Sequence, residues 1–375
     1  MHTPVKRNIL LNPGPATTTD TVKYAQVVPD ICPREKEFCN VMETVAKDLV
    51  RVVNGDDGHE AVMFTASGTG GVEAMISSII PEGGKLLVVI NGAYGDRMQK
   101  MAEIYYSADR AVPYRIPYGD YPDVKTIAEM LVADPAISHI GVVHHETTTG
   151  MLNPVKEIAR MAHAHDVEMI VDAVSSYAGI PIHIDDDGFD YLVSTSNKNI
   201  QGMAGIAFVI ARWEKIENLK GIPKRNLYLN LYDQYLSQKK SGQMRFTPAV
   251  QVIYALKQAL FEFFRETPEG RYTRYQTSWK VLVEGIERLG FRLFLPKHRQ
   301  AGLITSIYEP DHAGFDFNAM HDHLYHNGYT IYPGKVADIP TFRIANIGAI
   351  DERDIKGFLD ELGRYLDGNG IELEL

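Results

Sequence analysis

Hydrophobic positions along the chain fall into two periods. Over 38–53 the residues Val41, Val45, Leu49 and Val52 recur every three or four positions, the stripe of a helix that packs one face. Elsewhere, short unbroken apolar runs stand alone: 60–64, KLLVVI at 85–90, ISHIGVV at 137–143, MIVDA at 169–173, DYLVS at 190–194 and GIAFVIA at 205–211. Helical stretches are predicted between them, at about 71–80, 94–105 and 154–164. Strands that are apolar on both faces, alternating with helices, are what a mostly parallel sheet covered on both sides requires. The first two-thirds of the chain therefore predicts an α/β layer structure.

The pattern changes further on. Tyr228, Tyr232, Tyr235, Lys239, Lys240 and Arg245 cluster over 220–245 without a clean period, which predicts an irregular, surface-rich connection at a subunit contact. Long helices follow at 250–264 and 271–289. Then LITSIYE, GYTIYPG and TFRIANIG supply strands, and 318–327 and 351–366 supply helices, the second with Ile355, Phe358, Leu359 and Leu362 on one face. This is a smaller α+β unit. The expected division is an N-terminal arm at 1–20, ended by a Pro-Gly-Pro stop and packing on the small domain or the active site, a large domain at 21–260 and a small domain at 261–375.

Bulk properties narrow the function. The 375 residues are 45% hydrophobic and 23% charged, an ordinary globular composition. A net charge of -10 without a basic stripe argues against a nucleic-acid partner, while leaving room for a small anionic ligand held by a few local cations. No run approaches the ~18 apolar residues of a membrane span, and the first residues are too weakly apolar for a secretory signal, so a cytoplasmic location is expected. Cys32 and Cys39 form no CxxC pair and read as ordinary thiols.

Several polar residues stand at strand ends, where packing gives no reason for them. SGTGG at 67–71 lies between a strand and a helix, where free backbone N–H groups and the helix dipole converge on an anion. Ser67 and Thr69 add hydroxyls; by itself the motif reads equally as a turn and cap. Asp172 closes the strand MIVDA, and Lys198 follows the next strand in a stretch otherwise free of lysine between 157 and 214. Both fall on the rim where open α/β sheets bind ligands. A lysine, an acid and a phosphate cup are the minimum that pyridoxal 5′-phosphate needs. The lysine forms a Schiff base, the acid keeps the ring nitrogen protonated, and the cup holds the phosphate.

Other residues fit the same rim. Tyr94 opens a helix directly after Asn91-Gly92 and is placed to stack on a planar ring or to fill the core. Thr148 in ETTTG offers a hydroxyl or a helix-capping turn. Arg343 in TFRIANIG suits bidentate carboxylate binding or is a surface charge. His144 and His145 alternate on a strand, so one of them faces the site. His321 and His323, two apart on a helix, cannot face one metal ion, and no metal is expected.

Taken together and in order, LLNPGP, PREKEF, SGTGG, NGAYG, HHETTTG, DAVSS, SNKNIQG, RFTP, YPGK and FRIANIG resemble the 2-aminoethylphosphonate:pyruvate aminotransferases. These belong to the fold-type I, class V pyridoxal-phosphate enzymes. The resemblance runs along nearly the whole chain. It implies a homodimer with shared active sites, with Lys198 as the Schiff-base lysine and Asp172 as the pyridinium partner. It also implies that Ser67, Gly68, Thr69 and Asn197 hold the phosphate with Thr247 of the neighbouring subunit. Tyr94 would stack on the ring, Thr148 would touch its phenolic oxygen, and Arg343 would receive substrate.

The implied reaction takes the amine of 2-aminoethylphosphonate to pyruvate, giving phosphonoacetaldehyde and alanine, with Arg343 serving phosphonate and carboxylate in turn and Arg245 or Lys335 as candidate assistants. Two alternatives stay open. One is a related transaminase for serine, alanine or phosphonoalanine; the other is a phosphate- or nucleotide-binding α/β protein without imine chemistry.

Overall fold

A computed structural model describes residues 8–334, 336 and 338–373. The six apolar runs of the first two-thirds, joined by an unpredicted strand at 111–115, make the seven strands of one sheet: β1 (His59–Thr65), β2 (Lys85–Ile90), β3 (Ala111–Arg115), β4 (Ile137–Val143), β5 (Glu168–Asp172), β6 (Tyr191–Thr195) and β7 (Ile206–Arg212). They lie in the order β1-β7-β6-β5-β4-β2-β3. Only β7 runs against its neighbours.

Alternate side chains of each strand feed two cores. On one face Leu87, Val89, Ile140 and Val142 pack with helices α1 (Lys36–Arg51), α4 (Val124–Ala133), α5 (Val155–His163) and α7 (Val250–Glu266). On the other, Leu86, Val88 and Ile90 pack with α2 (Gly68–Ile79), α3 (Ala93–Tyr105) and α6 (Leu231–Ser241). Each fully buried aliphatic side chain contributes roughly 1.5–3 kcal/mol, so this three-layer arrangement follows from strands apolar on both sides.

Three elements depart from the sequence reading. Strand β3 carries Pro113 in its middle, which is tolerated because β3 is an edge strand. Helix α4 starts at Asp123, whose carboxylate accepts from the Lys125 N–H. The third is a correction: 220–245 is not wholly irregular, because Leu231–Ser241 forms α6, capped by Asn230. Its buried face is only Leu231, Gln234 and Tyr235, too polar to show a stripe. Gln238 on α6 accepts from Met63 N (2.7 Å) and donates to Ala61 O (3.0 Å), covering the open edge of β1.

Beyond α8 (Pro268–Arg288) a second core forms around a three-stranded sheet, β8 (Ile304–Tyr308), β9 (Tyr332–Pro333) and β10 (Thr341–Ala345), in the order β8-β10-β9. Helices α9 (Phe317–His326) and α10 (Glu352–Gly368) cover it, with Ile355, Phe358 and Leu362 fully buried. The predicted strand GYTIYPG splits in two, since Tyr329–Thr330 pairs with Ile9–Leu10 rather than with β10. Leu11 is buried in this second core, and a few residues later the chain reaches the large sheet.

Candidate active site

The site lies along the C-terminal rim of the parallel strands. After β1, the chain turns at Ser67, whose hydroxyl caps α2 by accepting from Gly70 N (3.4 Å). Ser67 and Thr69 are exposed and Gly68 is buried, so the first turn of α2 presents its amides and two hydroxyls to solvent. The helix can lie this close to the sheet because Gly71 has no side chain. A Cβ there would come within 2.8 Å of Val193 and 2.9 Å of Ala207.

Asp172 ends β5 facing that turn. It is 6% exposed, and its carboxylate accepts one bond, from Val174 N at 2.9 Å. Burial pushes its pKa up to about 6, against the backbone bond and the charges of Arg97 and Lys198. Gly68, Thr69, Tyr94, Arg97, Asp172 and Val174 line one small cavity. The Arg97 guanidinium lies over the Tyr94 ring (4.7 Å) and donates to Thr69 Oγ1 (3.3 Å).

Lys198 follows β6. Burial lowers its pKa to about 8, opposed by Asp172 and assisted by Arg343 and Arg97, so a substantial neutral fraction exists near pH 8. Its Nζ donates to Pro13 O at 2.6 Å. Neighbouring Asn197 accepts from Thr195 Oγ1 (3.0 Å) through its side chain and from Ala16 N (3.0 Å) through its backbone. Below the loop, the Asn199 carbonyl accepts from fully buried Arg271 (2.8 Å) and from Tyr275 (3.3 Å), which fixes the lysine's backbone to α8.

His145 is the histidine that faces Lys198. Its Nδ1 pairs with the Ser175 carbonyl (3.0 Å), so that nitrogen carries the proton and the buried Nε2 is left as an acceptor without a partner. Burial, with the nearby Lys198 charge, lowers its pKa to about 4. His144 instead packs edge-on against Phe189.

Thr148 is buried, and its hydroxyl donates to Glu146 (2.7 Å) while accepting from Ala93 N (3.1 Å). Glu146 is fully buried and also accepts from the backbone N–H groups of Tyr94, Gly95 and Thr148. It thereby caps the start of α3 and ties Tyr94 to the 146–150 turn. Arg343 sits on β10, the middle strand of the small sheet, with its guanidinium over the Tyr332 ring (5.4 Å) and one bond to Thr147 O (3.2 Å). Its Nε is buried without a partner.

Lys198, Asp172, Tyr94, Thr148, Asn197 and the 67–69 turn thus share one rim, which Arg343 reaches from the small sheet through Thr147 O. Thr247 is exposed on the α6–α7 connection, two residues from Ala249, whose N–H donates to Thr65 Oγ1 (3.1 Å). Arg245 is turned elsewhere, onto Leu227 O (2.8 Å) and Asp233 (3.4 Å), so it does not assist Arg343 in this arrangement. Lys335 lies outside the described residues. Sequence reasoning passed over Glu146, Arg97 and Pro13. The acid that opens ETTTG was a readable signal, because only a carboxylate in that motif has the acceptors to serve several N–H groups at once; Arg97 and Pro13 gave none.

A seven-stranded sheet with a lysine, an acid and a helix N-terminus on one rim, joined to a smaller α+β unit, defines a fold-type I pyridoxal-phosphate transferase. Pyridoxamine-pyruvate aminotransferase from Mesorhizobium loti has this fold at a TM-score of 0.89, with 24% identity over 99% of this chain and 95% of its own. The family model "Aminotransferase class-V" matches residues 19–327. The chain belongs to the class-V aminotransferases, and its cofactor is pyridoxal 5′-phosphate.

The chain is 42% identical to a 2-aminoethylphosphonate–pyruvate transaminase of Klebsiella pneumoniae, over 94% of this chain and 95% of that protein. It is 41% identical to one of Vibrio vulnificus, over 96% and 97%. The residues present fit the cofactor. Asp172 is a buried carboxylate with acceptor capacity to spare in the cavity that the α2 turn also lines, and His145 Nε2 is a buried acceptor lacking a donor among the described residues.

Proposed function

We propose that the protein transfers the amino group of 2-aminoethylphosphonate to pyruvate, giving phosphonoacetaldehyde and L-alanine. Similarity to transaminases of that name along nearly the whole chain supports the substrate pair. The observation that carries it within the site is Arg343, a half-buried arginine whose buried Nε has no partner among the described residues and whose charge reaches Lys198. Such a group is ready for an anion on the substrate.

When bound, pyridoxal phosphate supplies an electron sink for the carbon that carries the substrate amine. In our reading Ser67, Gly68, Thr69 and Asn197 would hold the phosphate at the start of α2, and Thr247 would reach the phosphate of a neighbouring subunit in a homodimer. Tyr94 would cover the ring, Thr148 would serve its phenolic oxygen, and Asp172 would keep its nitrogen protonated. Lys198 would hold the cofactor, and its freed amine would take the proton from the carbon bearing the substrate nitrogen and return it to the cofactor carbon on the other side of that nitrogen. Arg343 receives the phosphonate of the donor, then the carboxylate of the acceptor.

Residues 21–260 form the large cofactor-binding domain in this reading, 261–375 the small domain and 1–20 an arm that packs with the small domain or the active site. The enzyme works in the cytoplasm. The test is Arg343→Ala in steady-state assays. We expect the KM for pyruvate to rise at least ~100-fold, the scale of losing a charged bidentate contact, with the cofactor still bound. An unchanged KM would remove Arg343 from the substrate site.

A further inference from the structure

Residues 9–17 are tied down on both sides of the cleft. On the small unit, Ala345 N donates to Leu11 O (2.8 Å), Leu11 N to Thr330 O (2.8 Å) and Ala349 N to Thr17 O (2.8 Å). On the large unit, Ala16 N donates to Asn197 O (3.0 Å). Between these anchors the chain turns, braced by Asn12 Nδ2 on Pro15 O (3.2 Å), and its apex rests on the lysine. Gly14, at φ +141°, is the residue in contact. A Cβ there would overlap Lys198 Nζ and come within 2.6 Å of Cδ and 2.8 Å of Cε. Only glycine lets the backbone lie along that side chain.

We propose that the Pro13 carbonyl is the group that holds and orients the Lys198 amine whenever that amine is not joined to the cofactor. This rests on the assignment of Lys198 made above. A carbonyl oxygen can only accept, so at 2.6 Å an N–H of Lys198 must face it. In the neutral amine that leaves one N–H and the lone pair pointing away from the arm. The lone pair is what takes the proton from substrate, and Pro13 confines it to the two positions that face away from the arm. The same anchors link this acceptor to the anion site, because Ala345 and Arg343 are two residues apart on β10.

Pro13 is thus a positioning residue, acting through Lys198 without touching substrate. Two full-length variants test this. Gly14→Ala drives the apex off the lysine; Asn12→Ala only releases the brace, and serves if the first does not fold. In cofactor-free protein, acetylation of Lys198 is followed by peptide mass spectrometry with exposed Lys47 as internal reference. Freed from its acceptor and cover, Lys198 should label about tenfold faster in the variants. In loaded enzyme the single-turnover rate with 2-aminoethylphosphonate should fall about tenfold and its pH profile move, while cofactor affinity and the donor concentration at half-saturation stay put. Unchanged labelling in both variants overturns the proposal. Borohydride reduction of loaded wild-type enzyme checks the underlying assignment separately, since a cofactor adduct at any other residue would refute it.

Discussion

Asp172 carries an energetic conflict that only the folded protein reveals. Its carboxylate has one backbone partner and its pKa is pushed from 3.8 up to about 6 by burial. Because the folded value is the higher one, this group favours the cofactor-free fold below pH 3.8, and that contribution is lost as pH rises through about 6. At pH 8 the ionised carboxylate then costs the cofactor-free protein about 1–3 kcal/mol, since raising a pKa tenfold in acidity constant takes ~1.4 kcal/mol. Asp172→Asn keeps the Val174 bond and removes the charge. Urea denaturation of the cofactor-free variant at pH 8 should show higher stability by that amount, narrowing to nothing below about pH 3, with transamination largely lost. A variant less stable at pH 8 would mean that Asp172 is held by partners stronger than its geometry shows. The acid's position was legible in the sequence, since a carboxylate closing an apolar strand has no packing role. The conflict was not, because it depends on what surrounds Asp172 in space.

At the scale of elements, six of the seven strands were legible because residues buried on both faces write continuous apolar runs, whereas edge strand β3, with AVPYR half exposed, writes none. Helix α6 was not, since its work is done by Gln238 bonds to an edge strand and by tyrosines, neither of which makes a stripe. Likewise SGTGG was readable as a cup but not as a close-packed helix start. Gly71 is there because Val193 and Ala207 leave no space for a methyl group. Gly71→Ala should therefore destabilise the protein by about 1–3 kcal/mol, the usual cost of overpacking, and weaken cofactor binding by lifting the first turn of α2. Denaturation midpoints and a cofactor titration check both effects. Tight binding combined with a lowered midpoint would separate the helix position from the phosphate site.

Across the whole molecule, the site is assembled from segments far apart in sequence. Lys198 comes from the large sheet, Arg343 from the small one, and Pro13 from near the N-terminus, with Arg271 on α8 bracing the lysine's loop from below. The family resemblance named Lys198 and Arg343 but neither Pro13 nor Arg271. Their mutual placement was not readable, because it depends on how the second core docks and on where residues 9–17 run. Leu227, Tyr228 and Phe246 are exposed apolar residues, the last two stacked at 5.2 Å beside Thr247, and this is the face that the homodimer we propose would use to complete the phosphate site.

In our reading Arg343 and Lys198 together select 2-aminoethylphosphonate as amine donor, and a half-reaction spectrum addresses that choice without the complications of turnover. Cofactor-loaded enzyme receives 2-aminoethylphosphonate, alanine, serine or phosphonoalanine singly, the absorbance of the first half-reaction is recorded, and pyruvate follows. We expect the largest rate per unit concentration with 2-aminoethylphosphonate, comparable reverse conversion with alanine, and release of one alanine per active site on adding pyruvate. A faster response to serine or phosphonoalanine, with none to 2-aminoethylphosphonate, would contradict this reading.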